Sequence, residues 1–320
     1  MASTDQTATP IAANAVRTRR WGSSQARADA RLGIALVAPA VITIIAIALY
    51  PLLRSIWDSM HKLSLRFANQ PRPLIWLQNY KDILQDARWH NALWVTARVV
   101  FVSVGVELVL GMIIALLLNR AFQGRGIVRA SILVPWAITT VVSAQMWSWI
   151  YDARYGVFND ILMKLHIISK PIIFLAQPSI TIWAMIGAEI WKTTPFMALL
   201  LLAGLQLIPA DLYEAAAIDG TNGWQNFWKI TLPLLKPTIL VALLFRTIDA
   251  VRIFDLPRVL TNGGPGQSTE TLVLYAYNTL FTNLNFGYGS ALAVSTFLIV
   301  VLVSFLYIKI LGAPAQGGRS

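Results

Sequence analysis

Apolar residues run along this chain in long unbroken blocks rather than in alternation or in narrow stripes. Six blocks stand out, at about Leu32–Leu53, Leu93–Leu118, Ala130–Ile150, Ile180–Leu205, Thr238–Leu256 and Ser290–Leu311. About 20 consecutive apolar residues carry an α-helix across the hydrocarbon core of a bilayer. Only a helix satisfies its own backbone there within one segment. The pattern therefore predicts an all-α, polytopic membrane protein with six transmembrane helices over residues 32–312 and both termini on one side. The first block is too long for the apolar part of a secretory leader, and no small-residue cleavage site follows it, so it is expected to be a span. Residues 1–31, with Arg17, Arg19, Arg20, Arg27 and Arg31, are expected to form a flexible basic tail, and 313–320 a second short one. Pro135 predicts a kink in the third block, and a short helix is expected near Val157–Leu165.

One polar interval breaks this monotony. Residues 206–237 lie between the fourth and fifth blocks and are too polar to cross themselves. Pro209 can open a short helix, because proline costs little in a first helical turn. Leu212 to Ile218 continue it, and Asp219-Gly220 stops it as glycine does past a helix end. Thr221-Asn222-Gly223 turns and supplies an N-cap. Trp224, Phe227 and Trp228 then fall at i, i+3 and i+4 on one face of a second helix. Leu232-Pro233 and Lys236-Pro237 are expected to end that helix and begin the next span. The interval reads as a rigid helix–turn–helix knob or as an amphipathic loop on the membrane surface.

Composition supports the membrane reading. Of 320 residues, 56% are hydrophobic and 13% charged, against roughly 25% charged in a soluble domain. A net charge of +11 raises nucleic acid as a partner. A basic groove interleaved with aromatics would then be expected, and here the cations are scattered over loops between apolar blocks. The chain has no cysteine, so it has no disulfide and no thiol nucleophile. His61, His90 and His166 lack metal-ligand spacing. Gly124-Arg125-Gly126 and Gly263-Gly264-Pro265-Gly266 lack the Gly-Lys-Ser/Thr ending of a phosphate-binding loop, so any ATP is expected to be handled by partners. Lys and Arg in the short loops favour the N-terminus inside only weakly, twelve against ten.

Charges inside the blocks carry the remaining chemistry. An ionised side chain at the centre of a spanning helix costs about 2.5–3.5 kcal/mol on insertion scales, so such groups face protein or a water-filled path. Glu189 and Lys192 stand at i, i+3 in the fourth block and can pair, while Arg98 and Glu107 lie within reach of the second. Arg246, Asp249, Arg252 and Asp255 follow one another at three-residue spacing in the fifth. These groups either form buried ion pairs that lock helices together or line a path for a polar, uncharged solute. Carboxylates and guanidinium groups can hydrogen-bond sugar hydroxyls, and Trp136, Trp147, Trp149, Trp191 and Phe196 offer rings for stacking. An ion-coupled transporter, a membrane enzyme using Glu189 or Asp249, and a subunit that only assembles a complex remain as rival readings.

The knob resembles the EAA loop of binding-protein-dependent ABC importer permeases: Glu-Ala-Ala, three residues, Gly, nine residues, then Ile-x-Leu-Pro. Glu214-Ala215-Ala216, Gly220, Ile230 and Leu232-Pro233 meet every position. In that family the loop is the coupling helix, seated in a groove of a cytoplasmic ATPase. The resemblance implies that Glu214, Ala215, Ala216, Asp219, Gly220, Trp224, Phe227, Leu232 and Pro233 carry ATPase coupling. Tyr50-Pro51, WKTTPF at 191–196 and TNGGP at 261–265 are similar to maltose-type sugar permeases, and within that group to permease subunits of trehalose importers. The likeness covers most of residues 31–312. By it, sugar contacts fall on Glu189, Thr193 and Phe196 and on Asp249, Ala250 and Ile253, with Lys192, Arg246 and Arg252 added by the charge series. It further implies a type I ABC importer in the cytoplasmic membrane, with both termini cytoplasmic. A second permease subunit would complete a heterodimer, with two ATPase subunits holding ATP and Mg and an external sugar-binding lipoprotein. No cofactor is expected in this chain. The expected solute is a sugar, trehalose first, with another disaccharide or a glycerol phosphate-type solute as the alternative.

Overall fold

A computed structural model describes residues 24–66 and 71–312. Contacts divide the chain into two units, one ending at Arg54 and one beginning at Ser55. The first unit is helical: α1, Ser24–Ile44, passes through a π turn at Ile45–Leu49 into α2, Tyr50–Ser59, which runs on into the second unit. Helix α1 thus begins inside the stretch expected to be a tail. The rest of that tail, and residues 313–320, lie outside the described residues.

The second unit holds α3 (Gln78–Gln85), α4 (Ala87–Asn119), α5 (Arg125–Ala137), α6 (Thr140–Ile150), α7 (Val157–Lys164) and α8 (Pro178–Leu205). It continues with α9 (Asp211–Ile218), α10 (Gly223–Asn226), α11 (Leu232–Val251), α12 (Asp255–Leu260), α13 (Leu272–Tyr277) and α14 (Phe286–Gly312). Pairing outside the helices is limited to two isolated bridges among the described residues.

Among the described residues, four helical stretches are long and apolar enough to cross a membrane: Ala30–Ser59, α4, α8 and α14. The pair α5 and α6 makes a fifth span if its two halves are counted together. The remaining expected span, the fifth, corresponds to α11, which carries Lys236, Arg246 and Asp249 within its 20 residues. That helix also ends at Val251, five residues before the expected boundary, and the interval 257–289 is largely helical instead of an open loop.

The core is built on α4 against α8, with α11 packed across both. Near the ends of α4 and α8 that approach the 206–231 interval, Val104, Met112, Ala115 and Leu118 meet Met197, Leu201 and Leu205 of α8 and Leu235 and Ala242 of α11. Two glycines set how closely these helices approach. A Cβ on Gly111 would lie 2.8 Å from Met197 Cγ, and one on Gly204 would lie 2.6 Å from Thr238. A second cluster, at the other end, joins Val95 and Val99 to Ala144, Ile182, Ile186 and Leu256.

That second end is tied by polar groups. Asp86 caps α4, its carboxylate accepting from the Arg88 amide at 2.8 Å, from the Tyr275 hydroxyl at 2.5 Å and from the Tyr288 hydroxyl at 2.7 Å. Arg88 grips Glu270 through two 2.7 Å bonds, and Asn278 donates to the same carboxylate. Burial alone would raise the Asp86 pKa, but the bonds from Tyr275, Tyr288 and the Arg88 and Trp89 amides outweigh it and hold the carboxyl below its ordinary value.

The third expected span departs most from its sequence reading. Pro135 does not simply kink it. The helix ends at Ala137, Ile138 and Thr139 are extended, and α6 leaves at 89° to α5. The fifth departs in the opposite sense. Pro233 does not end a helix, because the chain stays helical from Gly223 through Val251. A π turn at Phe227–Thr231, in which the Leu232 amide reaches back to the Phe227 carbonyl, sits just ahead of the ring. The wider turn gives a proline room that a regular helix denies it.

Candidate functional site

The 206–231 interval forms the expected knob. Helix α9 is followed by Gly220 at φ +77°. An added Cβ there would have nothing within 4 Å, so the backbone conformation, not space, is what asks for glycine. Asn222 then starts α10 with a reciprocal capping box, its side chain accepting from the Gln225 amide at 2.9 Å while Gln225 returns a bond at 3.0 Å. Thr221 locks the turn, donating to the Ala216 carbonyl, with the Asn226 side-chain oxygen 2.6 Å from its hydroxyl.

Glu214, Ala215, Asp219 and Gly220 are exposed on this knob, as is Pro233 at its far end. Ala216 is the exception: it is buried and packs inward, so the small-residue face is divided between the knob's own turn and the surface. Trp224, Phe227 and Trp228 form one aromatic cluster, with ring centroids 5.4–6.4 Å apart. Together with Leu232 they border a groove of about 1070 Å³ against the C-terminal half of α4.

Midway along the bundle, three helices contribute charge to one buried point. Arg246 of α11 is 1% exposed. Its Nε donates to Glu107 Oε2 of α4 at 2.5 Å, and its Nη2 donates to Glu189 Oε1 of α8 at 2.5 Å and to Glu107 Oε1 at 3.1 Å. Its Nη1 reaches Asp249 at 3.1 Å, one turn along its own helix. Thr193 donates to Glu107 at 2.8 Å and also bonds the Glu189 carbonyl. Ion pairs buried in this way are held together as much by the cost of separating them as by attraction.

Glu189 and Lys192 do not pair, although their spacing allows it. Glu189 goes to Arg246, and Lys192 donates to the Ile138 carbonyl at 2.8 Å and the Trp136 carbonyl at 3.4 Å. The i, i+3 series on α11 is also cut short: Arg252 and Ile253 lie in the turn after Val251, and Asp255 opens α12.

Beside the Arg246 cluster lies a polar cavity of about 250 Å³. Glu189, Lys192, Thr193, Asp249, Arg252 and Ile253 of the sequence-derived set line it, joined by Trp136, Thr140, Phe254 and Asp255. Phe196 does not line it directly but stacks on Trp136 with centroids 5.8 Å apart and planes 16° from parallel. Arg246 lies beneath it as an anchor. Ala250 is fully buried in the apolar core and does not reach it. The Arg252 side chain has no hydrogen-bond or ion-pair partner among the described residues, and Asp249 keeps 75% of its side chain exposed.

Glu107 is the functional group that spacing arguments passed over. A carboxylate inside a long apolar helix was itself the signal, since such a group demands a partner. Its partner lies 139 residues away and could not be read locally.

Residues 107–311 match the family model described as binding-protein-dependent transport system inner membrane component. The chain is 43% identical over 283 residues to the trehalose/maltose transport system permease protein MalF of Thermococcus litoralis, covering 88% of this chain and 94% of that one. It is 42% identical over 300 residues to the trehalose transport system permease protein SugA of Mycobacterium tuberculosis, covering 94% of each. It is 40% identical over 292 residues to the sulfoquinovosyl glycerol transport system permease protein SmoG of Agrobacterium fabrum, covering 91% and 94%. The fold matches that of a bacterial ABC transporter involved in the import of the polysaccharide alginate, with a TM-score of 0.78 over 91% of this chain and 99% of that one, at 20% identity. The chain therefore belongs to the binding-protein-dependent family of ABC importer permeases.

Proposed function

We propose that this chain is one permease half of an ATP-driven sugar importer and that its solute is trehalose. The observation that carries the reading is the cavity. It sets Asp249 and Asp255 against Arg252, beside the exposed Trp136 ring, with Glu189 and Lys192 in its wall already bonded to Arg246 and to the Ile138 carbonyl. With Arg246 bonded to Glu189 and Asp249, three cations stand against the three carboxylates of the lining and leave little net charge to select an ion. The free groups offer donors and acceptors to hydroxyls, and the ring offers a face to a pyranose. The named solutes of the 43% and 42% identical relatives agree with a disaccharide.

In this reading the N-terminus, the knob and the C-terminus face the cytoplasm. A second permease subunit completes the path, two ATPase subunits hold ATP and Mg, and an external lipoprotein delivers the sugar. The exposed face of Glu214, Ala215, Asp219 and Gly220 seats in the ATPase, with Trp224, Phe227, Leu232 and Pro233 transmitting its motion. Because α10 and α11 are continuous through the π turn, movement of the knob reaches Arg246 and the cavity along one helix. Alternating access follows from rocking α11 against α4 and α8.

A second reading, an anionic glycoside or a glycerol phosphate-type solute, is favoured by the unpartnered Arg252 together with the SmoG relative. Uptake of labelled trehalose, maltose and glycerol phosphate in cells with and without the chain separates the two. Loss of trehalose uptake alone supports the first reading; unchanged trehalose uptake with loss of another solute removes it.

A further inference from the structure

The break between α5 and α6 leaves a helix end open in the middle of a span. The last carbonyls of α5 have no partner in a continuing helix, because Ile138 and Thr139 are extended and α6 departs at 89°. Such orphan carbonyls need donors, and a cation is the favoured one at a helix C-terminus. Lys192 supplies it. Its ammonium donates to the carbonyls of Ile138 and Trp136, its side chain is buried, and it makes no ion pair with a carboxylate among the described residues. The same backbone segment carries the Trp136 ring, which stacks on Phe196, four residues beyond Lys192 on α8. Lys192 and Phe196 thus hold one residue of the broken span by its carbonyl and by its ring.

We propose that Lys192 is the latch of the broken span: it fixes the joint at 138–139 and thereby holds Trp136 as the aromatic wall of the cavity. It is a positioning residue, not a contact for the solute. The part of this concerning the solute rests on the cavity being the sugar path; the part concerning the joint does not.

The chain has no cysteine of its own, so spin labels placed at Val128→Cys on α5 and Val142→Cys on α6 report the joint in the assembled importer. The expected result is a narrow distance distribution in the parent, a broadened or shifted one in Lys192→Met, and recovery in Lys192→Arg, which keeps the donors. With labelled trehalose as the probe, Lys192→Met and Trp136→Ala should each raise the half-saturating concentration about tenfold, and the double variant should do no more than either, as coupled neighbours do. An unchanged distance distribution in Lys192→Met overturns the latch. Additive effects of the two substitutions also overturn it, since Lys192 would then act on the solute by itself. A broadened distribution with unchanged trehalose saturation in both variants upholds the latch and removes the cavity as the sugar path.

Discussion

The knob and the Arg246 cluster are built on opposite terms. From Asp211 to Thr231 nearly every bond is local: the capping box spans three residues and the Thr221 bonds span five. The cluster joins residues 139 and 57 positions apart. The first presents charged and polar groups outward from a turn that needs little from the rest of the fold. The second holds three helices by groups that no neighbour in sequence satisfies. A surface turn can be specified by short-range chemistry, whereas a buried charge cluster has to be assembled from several helices at once.

The sharpest way to break that contrast is to unpair the cluster. Arg246→Met strands the Glu107 and Glu189 carboxylates in the core and should cost about 3–5 kcal/mol, read as a collapse in thermal stability of the purified importer. Adding Glu107→Gln and Glu189→Gln to it should recover much of that loss, because the buried charge goes with it. No recovery would mean that Arg246 acts through packing. Next in size is Gly220→Val, which forces a branched side chain into φ +77° at about 1–2 kcal/mol. The knob should loosen while membrane insertion, measured by protease accessibility, is unchanged. Asn222→Ala removes the capping box and should cost about 1 kcal/mol, seen as faster amide exchange confined to 222–231.

The smallest effect lies at the far end. Asp86 is held below its ordinary pKa, so its bonds contribute stability that is present above the unfolded value and lost as pH falls through the lower folded one. Tyr288→Phe removes one of those bonds and should bring the folded value back up. The loss of stability on acidification should then be smaller than in the parent and finish at a higher pH, in a melting series taken below about pH 4.

These differences also set what could be read from the residues. The knob was legible nearly to the residue, since Asp219-Gly220, the Asn222 cap and the Trp224, Phe227, Trp228 face are local signals. Ala216 differs, since it is buried rather than on the exposed face. The long helices α4, α8 and α14 were legible because apolar length alone marks them. Spacing failed wherever a charge had a choice of partners. Glu189 and Lys192 share a helix face, yet one serves Arg246 and the other the open end of α5, and nothing within α8 states either preference. The π turn before Pro233 was hidden for a similar reason: proline announces that a regular helix cannot pass, not which irregular one can.

The account rests on the knob and the cavity being two ends of one device, linked by the continuous helix from Gly223 to Val251. ATP hydrolysis by the reconstituted importer, with all subunits present and the external protein loaded with trehalose, tests this most directly when parent and Gly220→Val are compared. The account predicts that the variant either fails to assemble with its ATPase subunits or assembles and loses trehalose-stimulated hydrolysis together with uptake. Full stimulation and full uptake in the assembled variant would contradict it.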